Sequence, residues 1–115
     1  MSSSPNTAFI YLYRDADNYK KWGKVVFSGS CRDRYEQQLR EVCQRGELFV
    51  ACQIRIPEVF LWREEQWEKT VADHDWHEFY QLRATGDEPD DVHDRSIEAF
   101  VEEFRGLGRD GWEIN

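Results

Sequence analysis

The chain has 115 residues, a net charge of −8 and 15% aromatic residues. These values favour one domain with a core of large apolar side chains over a disordered chain. The sequence has no run of ~18 apolar residues that could span a membrane and no secretory signal at its start. We therefore expect a flexible arm over residues 1–6 and a single cytoplasmic domain over residues 7–115.

The charge is divided unevenly between the two halves of the chain. Residues 1–60 carry a net charge of +2, and residues 61–115 carry −10. Because nucleic acids bind through Lys and Arg, the second half disfavours nucleic-acid binding. The cluster of Lys20, Lys21 and Lys24 with Tyr13, Tyr19 and Trp22 is too small to reverse that balance. An acidic surface favours solubility or a basic protein partner.

The first half predicts a hairpin followed by a helix. Ala8–Tyr13 and Trp22–Phe27 are typical of strands separated by a polar turn, and Gly23 indicates a bulge or a close backbone approach. Ser30 is the expected helix cap. The apolar face of the helix recurs with helical spacing, and its members are Tyr35, Leu39, Val42 and Cys43. The dipeptide Arg45-Gly46 predicts the helix end.

The middle of the chain predicts two more strands. Leu48–Ile56 is apolar and is stopped by Pro57, and Val59–Trp62 is a shorter apolar run. Residues 63–73 are polar and predict a loop. Residues 76–82 fit either a strand or a helix, and their aromatic content favours a strand.

The last element is a helix capped by Asp94 or Ser96. Ile97, Phe100, Val101 and Phe104 form its apolar face, and Arg105-Gly106 predicts its end. The order of elements predicts an α+β fold. We expect a mainly antiparallel sheet of four to five strands with two helices packed on one face.

A metal site is one interpretation of residues 74–78, which overlap the start of the strand predicted over residues 76–82. His74, His77 and Glu78 carry groups that bind Zn²⁺, and on a helix they would face one ion. Their order matches neither HExxH nor HxxEH, and on a strand the two histidines separate. Asp73, Asp75 and Glu78 could also act as acid and base. The alternative function is therefore a metal-dependent enzyme at residues 74–78.

The three cysteines indicate reduced thiols in a cytoplasmic protein. Cys31, Cys43 and Cys52 are odd in number and lack CxxC spacing. The chain also has no GxSxG, P-loop or GxGxxG motif. No cofactor is expected, apart from Zn²⁺ in the alternative function.

Carboxylates of the second half form the main candidate binding surface. They are Asp87, Glu88, Asp90, Asp91, Glu98 and Glu102. Such a face can dock on a basic protein surface, including one that holds DNA phosphates. The leading hypothesis is a non-catalytic interaction or inhibitor module, and a homodimer through an exposed strand is a further expectation.

The segment Ala8–Gly23, with Val25–Phe27 and Trp76–Phe79, resembles small bacterial proteins without a characterised activity. This resemblance implies a bacterial or mobile-element origin. It implies no site residues.

Overall fold

The computed structural model describes residues 5–14, 19–59 and 76–112. Its elements are β1 (Asn6–Arg14), β2 (Lys20–Ser28), α1 (Asp33–Val42), β3 (Leu48–Phe49), β4 (His77–Thr85) and α2 (Ile97–Asp110). In this part of the chain the strands form one sheet in the order β2-β1-β4-β3, with every pair antiparallel. The α+β prediction with an antiparallel sheet is confirmed. β1 begins at Asn6, the last residue of the predicted arm.

The predicted hairpin is formed by β1 and β2 in unbroken register from Asn6 opposite Ser28 to Arg14 opposite Lys20. Gly23 lies opposite Tyr11, and a Cβ atom at Gly23 would lie 2.5 Å from Cζ of the Tyr11 ring. The glycine therefore permits a close approach of backbone and ring, as the sequence indicates.

β4 pairs with β1 in the middle of the sheet, which confirms the strand prediction for residues 76–82. The register shifts between Ile10 and Tyr11, so the pairing contains an irregularity of the β-bulge type. In the part of β4 that precedes the shift, the side chains of His77 and Phe79 face the helices and that of Glu78 faces the other side of the sheet. The alternation follows from the two-residue period of a strand.

The core lies between the sheet and the two helices. Phe9 is at its centre: its ring stacks on Phe79 at 5.2 Å and meets Phe100 edge-on at 5.0 Å. Phe100 also stacks on Phe27 at 4.2 Å. The predicted helix faces supply the buried residues Tyr35, Leu39, Cys43, Ile97, Phe100, Val101 and Phe104. Burial of such aromatic and aliphatic groups is the main favourable term in folding.

The strand predicted over Leu48–Ile56 is mostly wrong. Only Leu48 and Phe49 pair with β4, and residues 51–55 form successive turns with Arg55 at a positive φ of 58°. Ile54 and Ile56 are buried all the same. Tertiary contacts, described below, override the local strand preference. The strand predicted over Val59–Trp62 lies outside the described residues except for Val59, and the loop predicted over 63–73 lies wholly outside them.

Both helices begin or end differently from the sequence prediction. The N-cap of α1 is Arg32, without a side-chain hydrogen bond, and not Ser30. Ser96 caps α2 as predicted, because its Oγ accepts a hydrogen bond from the Ala99 N–H at 3.1 Å. α2 does not end at Gly106 but continues to Asp110.

The extension of α2 brings it against α1. Gly108 lies directly against Val42, and the indole N–H of Trp112 donates to the Val42 carbonyl at 2.8 Å. A glycine inside a helix costs about 1 kcal/mol relative to alanine. The close contact between α1 and α2 at Gly108 offsets this cost, so Gly108 does not end the helix.

Candidate interaction surface

His77, the central residue of the predicted metal site, is buried among aromatic rings on the helix side of the sheet. Its ring centroid lies 5.7 Å from that of Tyr13, 6.0 Å from Tyr11 and 6.1 Å from Phe49. Its Nε2 accepts a hydrogen bond from the Val59 N–H at 3.0 Å. An acceptor at Nε2 means that this nitrogen carries no proton, so its lone pair is already used within the protein.

Glu78 lies on the opposite face of β4 from His77. Its carboxylate receives two hydrogen bonds from Arg14, at 3.0 and 3.2 Å. The structure therefore does not bring His77 and Glu78 together. His74, Asp73 and Asp75 lie outside the described residues, and within the described ranges no three His, Cys, Asp or Glu side chains form a group that could hold a metal ion.

Two of the cysteines are held as thiols. Burial raises the pKa of Cys43 to about 12, and burial together with the nearby Glu36 raises the pKa of Cys31. Because the thiolate is the nucleophile, neither residue is activated for covalent chemistry. Cys52 is exposed.

The candidate partner-binding carboxylates lie on the acidic loop, residues 86–95, and on α2. The loop crosses the end of the sheet and is attached at several points. Asn6 donates to the Asp87 carbonyl at 2.8 Å, and the Asp87 carboxylate lies 3.4 Å from the Lys24 ammonium. At the edge of β2, the Asp90 N–H donates to the Val26 carbonyl at 3.0 Å, and the Val26 N–H donates to the Asp90 carboxylate at 2.7 Å.

The loop ends in a buried ion pair between Asp91 and Arg95. The guanidinium donates two hydrogen bonds to the carboxylate, at 2.9 and 3.0 Å, and the Arg95 backbone N–H donates a third at 2.9 Å. Only 3% of the Asp91 side chain is exposed. Arg95 also donates to the carbonyls of Ile54 and Arg55, at 2.8 and 3.0 Å. One guanidinium thus joins the acidic loop to the turn that follows β3.

The Arg95 guanidinium also contacts two aromatic rings and a second carboxylate. It lies 5.5 Å from the Phe27 ring and 5.2 Å from the Phe100 ring, a cation–π arrangement. It also donates to Glu103 at 3.2 Å, which binds Arg55 as well. Burial of Asp91 raises its pKa, but the hydrogen bonds and charge of Arg95 outweigh burial and hold the pKa below its usual value. Hydrogen bonds from Arg55 likewise lower the pKa of Glu103.

The remaining carboxylates of this region are exposed. We call them the acidic strip: Asp87, Glu88, Asp90, Asp94, Glu98 and Glu102. Residues 86–104 hold eight Asp and Glu and one Arg, and that arginine is buried. Asp91, which the sequence places with the binding residues, is used inside the fold instead.

Sequence reasoning missed two residues of this region. Arg95 is the cation that organises the loop, and its spacing of four from Asp91, in a segment otherwise free of Lys and Arg, is the signal that could have identified it. Val92 is the second, since 85% of its surface is exposed between acidic neighbours. It is the most exposed large apolar side chain of the described residues.

Within the described residues, no helix is long and apolar enough to cross a membrane. Comparisons of this chain with protein-family models, with curated proteins and with solved structures found no match.

Proposed function

We propose that this protein is a non-catalytic interaction module that binds a basic protein surface through the acidic strip. The observation that carries the proposal is the attachment of the acidic loop to the edge of β2 and to Arg95. A charged loop that served only to keep the protein soluble would need no such attachment. Asp91 holds the loop inside the fold and Asp90 holds it on Val26, whereas Asp87, Glu88, Glu98 and Glu102 face the partner.

A fixed loop binds at a lower entropic cost than a free one. Ordering a loop and its side chains on association reduces the affinity, and here the hydrogen bonds to Asn6, Val26 and Arg95 order the loop beforehand. The carboxylates then attract a basic partner and accelerate the encounter. If the basic surface of the partner normally binds DNA phosphates, the acidic strip would block its binding to DNA. The protein would then act as an inhibitor of that partner.

Val92 gives this surface an apolar centre. Its exposed side chain stands among the carboxylates of the acidic loop, and interfaces commonly place an apolar contact inside a polar rim. We infer that Val92 inserts between the aliphatic stems of the partner's basic side chains.

Charge reversal on the acidic strip tests the proposal. The strip variant carries three substitutions: Glu88→Lys, Glu98→Lys and Glu102→Lys. Chemical cross-linking in a bacterial lysate, followed by mass spectrometry, identifies the proteins bound to the wild type at low salt. We expect the strip variant to lose these partners, and we expect binding to the wild type to weaken as salt is raised, because salt screens exposed charges.

The matched control reverses three exposed carboxylates elsewhere on the described surface: Glu41→Lys, Glu47→Lys and Asp110→Lys. It has the same net charge as the strip variant and should retain the partners. Equal loss in both variants would assign binding to net charge alone, and unchanged binding in the strip variant would contradict the proposal.

A further inference from the structure

The outer edge of β2 is covered along only part of its length. Val26 is paired with Asp90, and Ser28 is bridged to Ser96. In an antiparallel strand every second residue directs its N–H and C=O to the same side, so Lys24, Trp22 and Lys20 point outward as Val26 does. No described residue forms a backbone hydrogen bond with these three outward positions. We call this part of the edge, from Lys20 to Lys24, the open half, and its outward backbone groups can pair with another strand.

The side chains along the open half are basic and aromatic. Lys20 and Lys24 are exposed, and they flank Trp22. Trp22 and Tyr80 are each 51% exposed and pack edge to face with ring centroids 4.9 Å apart. An extended segment added here would place alternate side chains beside Lys20, Trp22 and Lys24.

A small pocket lies where the open half meets the acidic loop. It is lined by Lys24, Val25, Pro57, Asp90, Asp91 and Val92. The apolar members of this lining can receive one apolar side chain of an added segment, which would fix its register along the edge.

The geometry points to an extended acidic segment of a partner protein as the strand that completes the β2 edge. The chain itself supplies the precedent, because acidic Asp90 already pairs with this edge at Val26. A second copy fits less well: antiparallel pairing of β2 with itself around Trp22 would set Lys20 opposite Lys24, and like charges directly opposite are destabilising. Carboxylates at alternate positions of a partner segment meet both lysines instead. This interface adjoins the acidic strip, because Lys24 pairs with Asp87 and the pocket includes Asp90 and Val92. It uses the outward backbone groups of β2, however, so it does not rest on the proposed function.

The test uses a short fluorescent peptide in which glutamate alternates with valine and threonine, titrated with the full-length protein. Fluorescence polarisation should detect binding, and the backbone amide signals of Trp22 and Lys24 should shift in the NMR spectrum. The same peptide N-methylated at alternate residues lacks the pairing N–H groups and should not bind. A peptide with lysine in place of glutamate should not bind either.

Protein variants distinguish strand addition at the β2 edge from non-specific electrostatic attraction between the peptide and the protein. The double variant Lys20→Glu, Lys24→Glu should weaken binding about tenfold, the effect of two exposed ion pairs. The control double variant Arg32→Glu, Arg109→Glu has the same net charge and should bind as the wild type does. Equal binding of the N-methylated peptide, or no binding of the unmodified one, would overturn the proposal. So would a stable homodimer that the Lys20→Glu, Lys24→Glu variant disrupts, because a second copy would then occupy the edge.

Discussion

Replacing Arg95 with methionine should lower the free energy of unfolding by about 3–5 kcal/mol, the usual cost of leaving a buried charge without its partner. Methionine keeps an unbranched apolar side chain beside Phe27 and Phe100, so the loss reports the guanidinium contacts. The variant leaves the carboxylate of Asp91 and the carbonyls of Ile54 and Arg55 without the donor that now binds them. Urea unfolding followed by circular dichroism measures the difference.

Arg109→Met is the matched control, since Arg109 is exposed near the end of α2. Its loss should cost less than about 1 kcal/mol. If Arg95→Met and Arg109→Met are equally stable, the buried ion pair does not organise this part of the fold.

The cost of Arg95→Met should also depend on pH. In the wild type the pKa of Asp91 is lowered, so its pair stabilises the fold fully above the ordinary pKa of about 4 and is lost as the pH falls through the lower, folded value. In the variant, burial without a cation should raise that pKa, and acid then neutralises the buried charge. The difference between the two proteins should therefore be larger at about pH 7 than at about pH 4. A difference that grows towards acid would contradict this account of Asp91.

Gly106 and Gly108 should respond in opposite directions to alanine. A Cβ atom at Gly108 would lie 2.5 Å from Cβ and 2.8 Å from the carbonyl oxygen of Val42, whereas nothing lies within 4 Å of one at Gly106. We expect Gly108→Ala to lower the free energy of unfolding by about 1–3 kcal/mol, because α1 and α2 must separate. Gly106→Ala should raise it by up to about 1 kcal/mol through helix propensity. Thermal and urea unfolding compare the two variants.

Each glycine is the other's control, because both lie in the same helix and gain the same methyl group. Stabilisation by both substitutions would mean that α2 does not pack on Val42 as described. Destabilisation by both would mean that the chain at Gly106 is not helical.

The elements that could be predicted from sequence are those that a local signal marks. β1 and β2 contain apolar runs bounded by turn residues, and α2 carries apolar residues at helix spacing. Residues 50–56 could not be assigned in this way. Their apolar residues indicate a strand, but the carbonyls of Ile54 and Arg55 are bound by Arg95, about forty residues later in the chain, and no local pattern contains that contact.

The candidate surface was predictable in composition but not in detail. The run of carboxylates after Thr85 identifies an acidic surface, because Asp and Glu are usually exposed. Sequence alone does not distinguish Asp91, which is buried against Arg95, from Glu88, which is exposed. The metal hypothesis depended on whether residues 76–82 form a helix, and β4 separates His77 from Glu78 because neighbouring residues of a strand face opposite sides.

The attachment of the acidic loop to the β2 edge is the central claim, and amide hydrogen exchange of the wild-type protein tests it most directly. The N–H groups of Val26, Trp22 and Lys24 all point outward from the same strand, and in the described part of the chain only that of Val26 has a hydrogen-bond acceptor, the Asp90 carboxylate. We predict slow exchange at Val26 and at Asp90, with fast exchange at Trp22 and Lys24. Exchange at Val26 as fast as at Trp22 would contradict the claim, because the loop would then not be held on the strand.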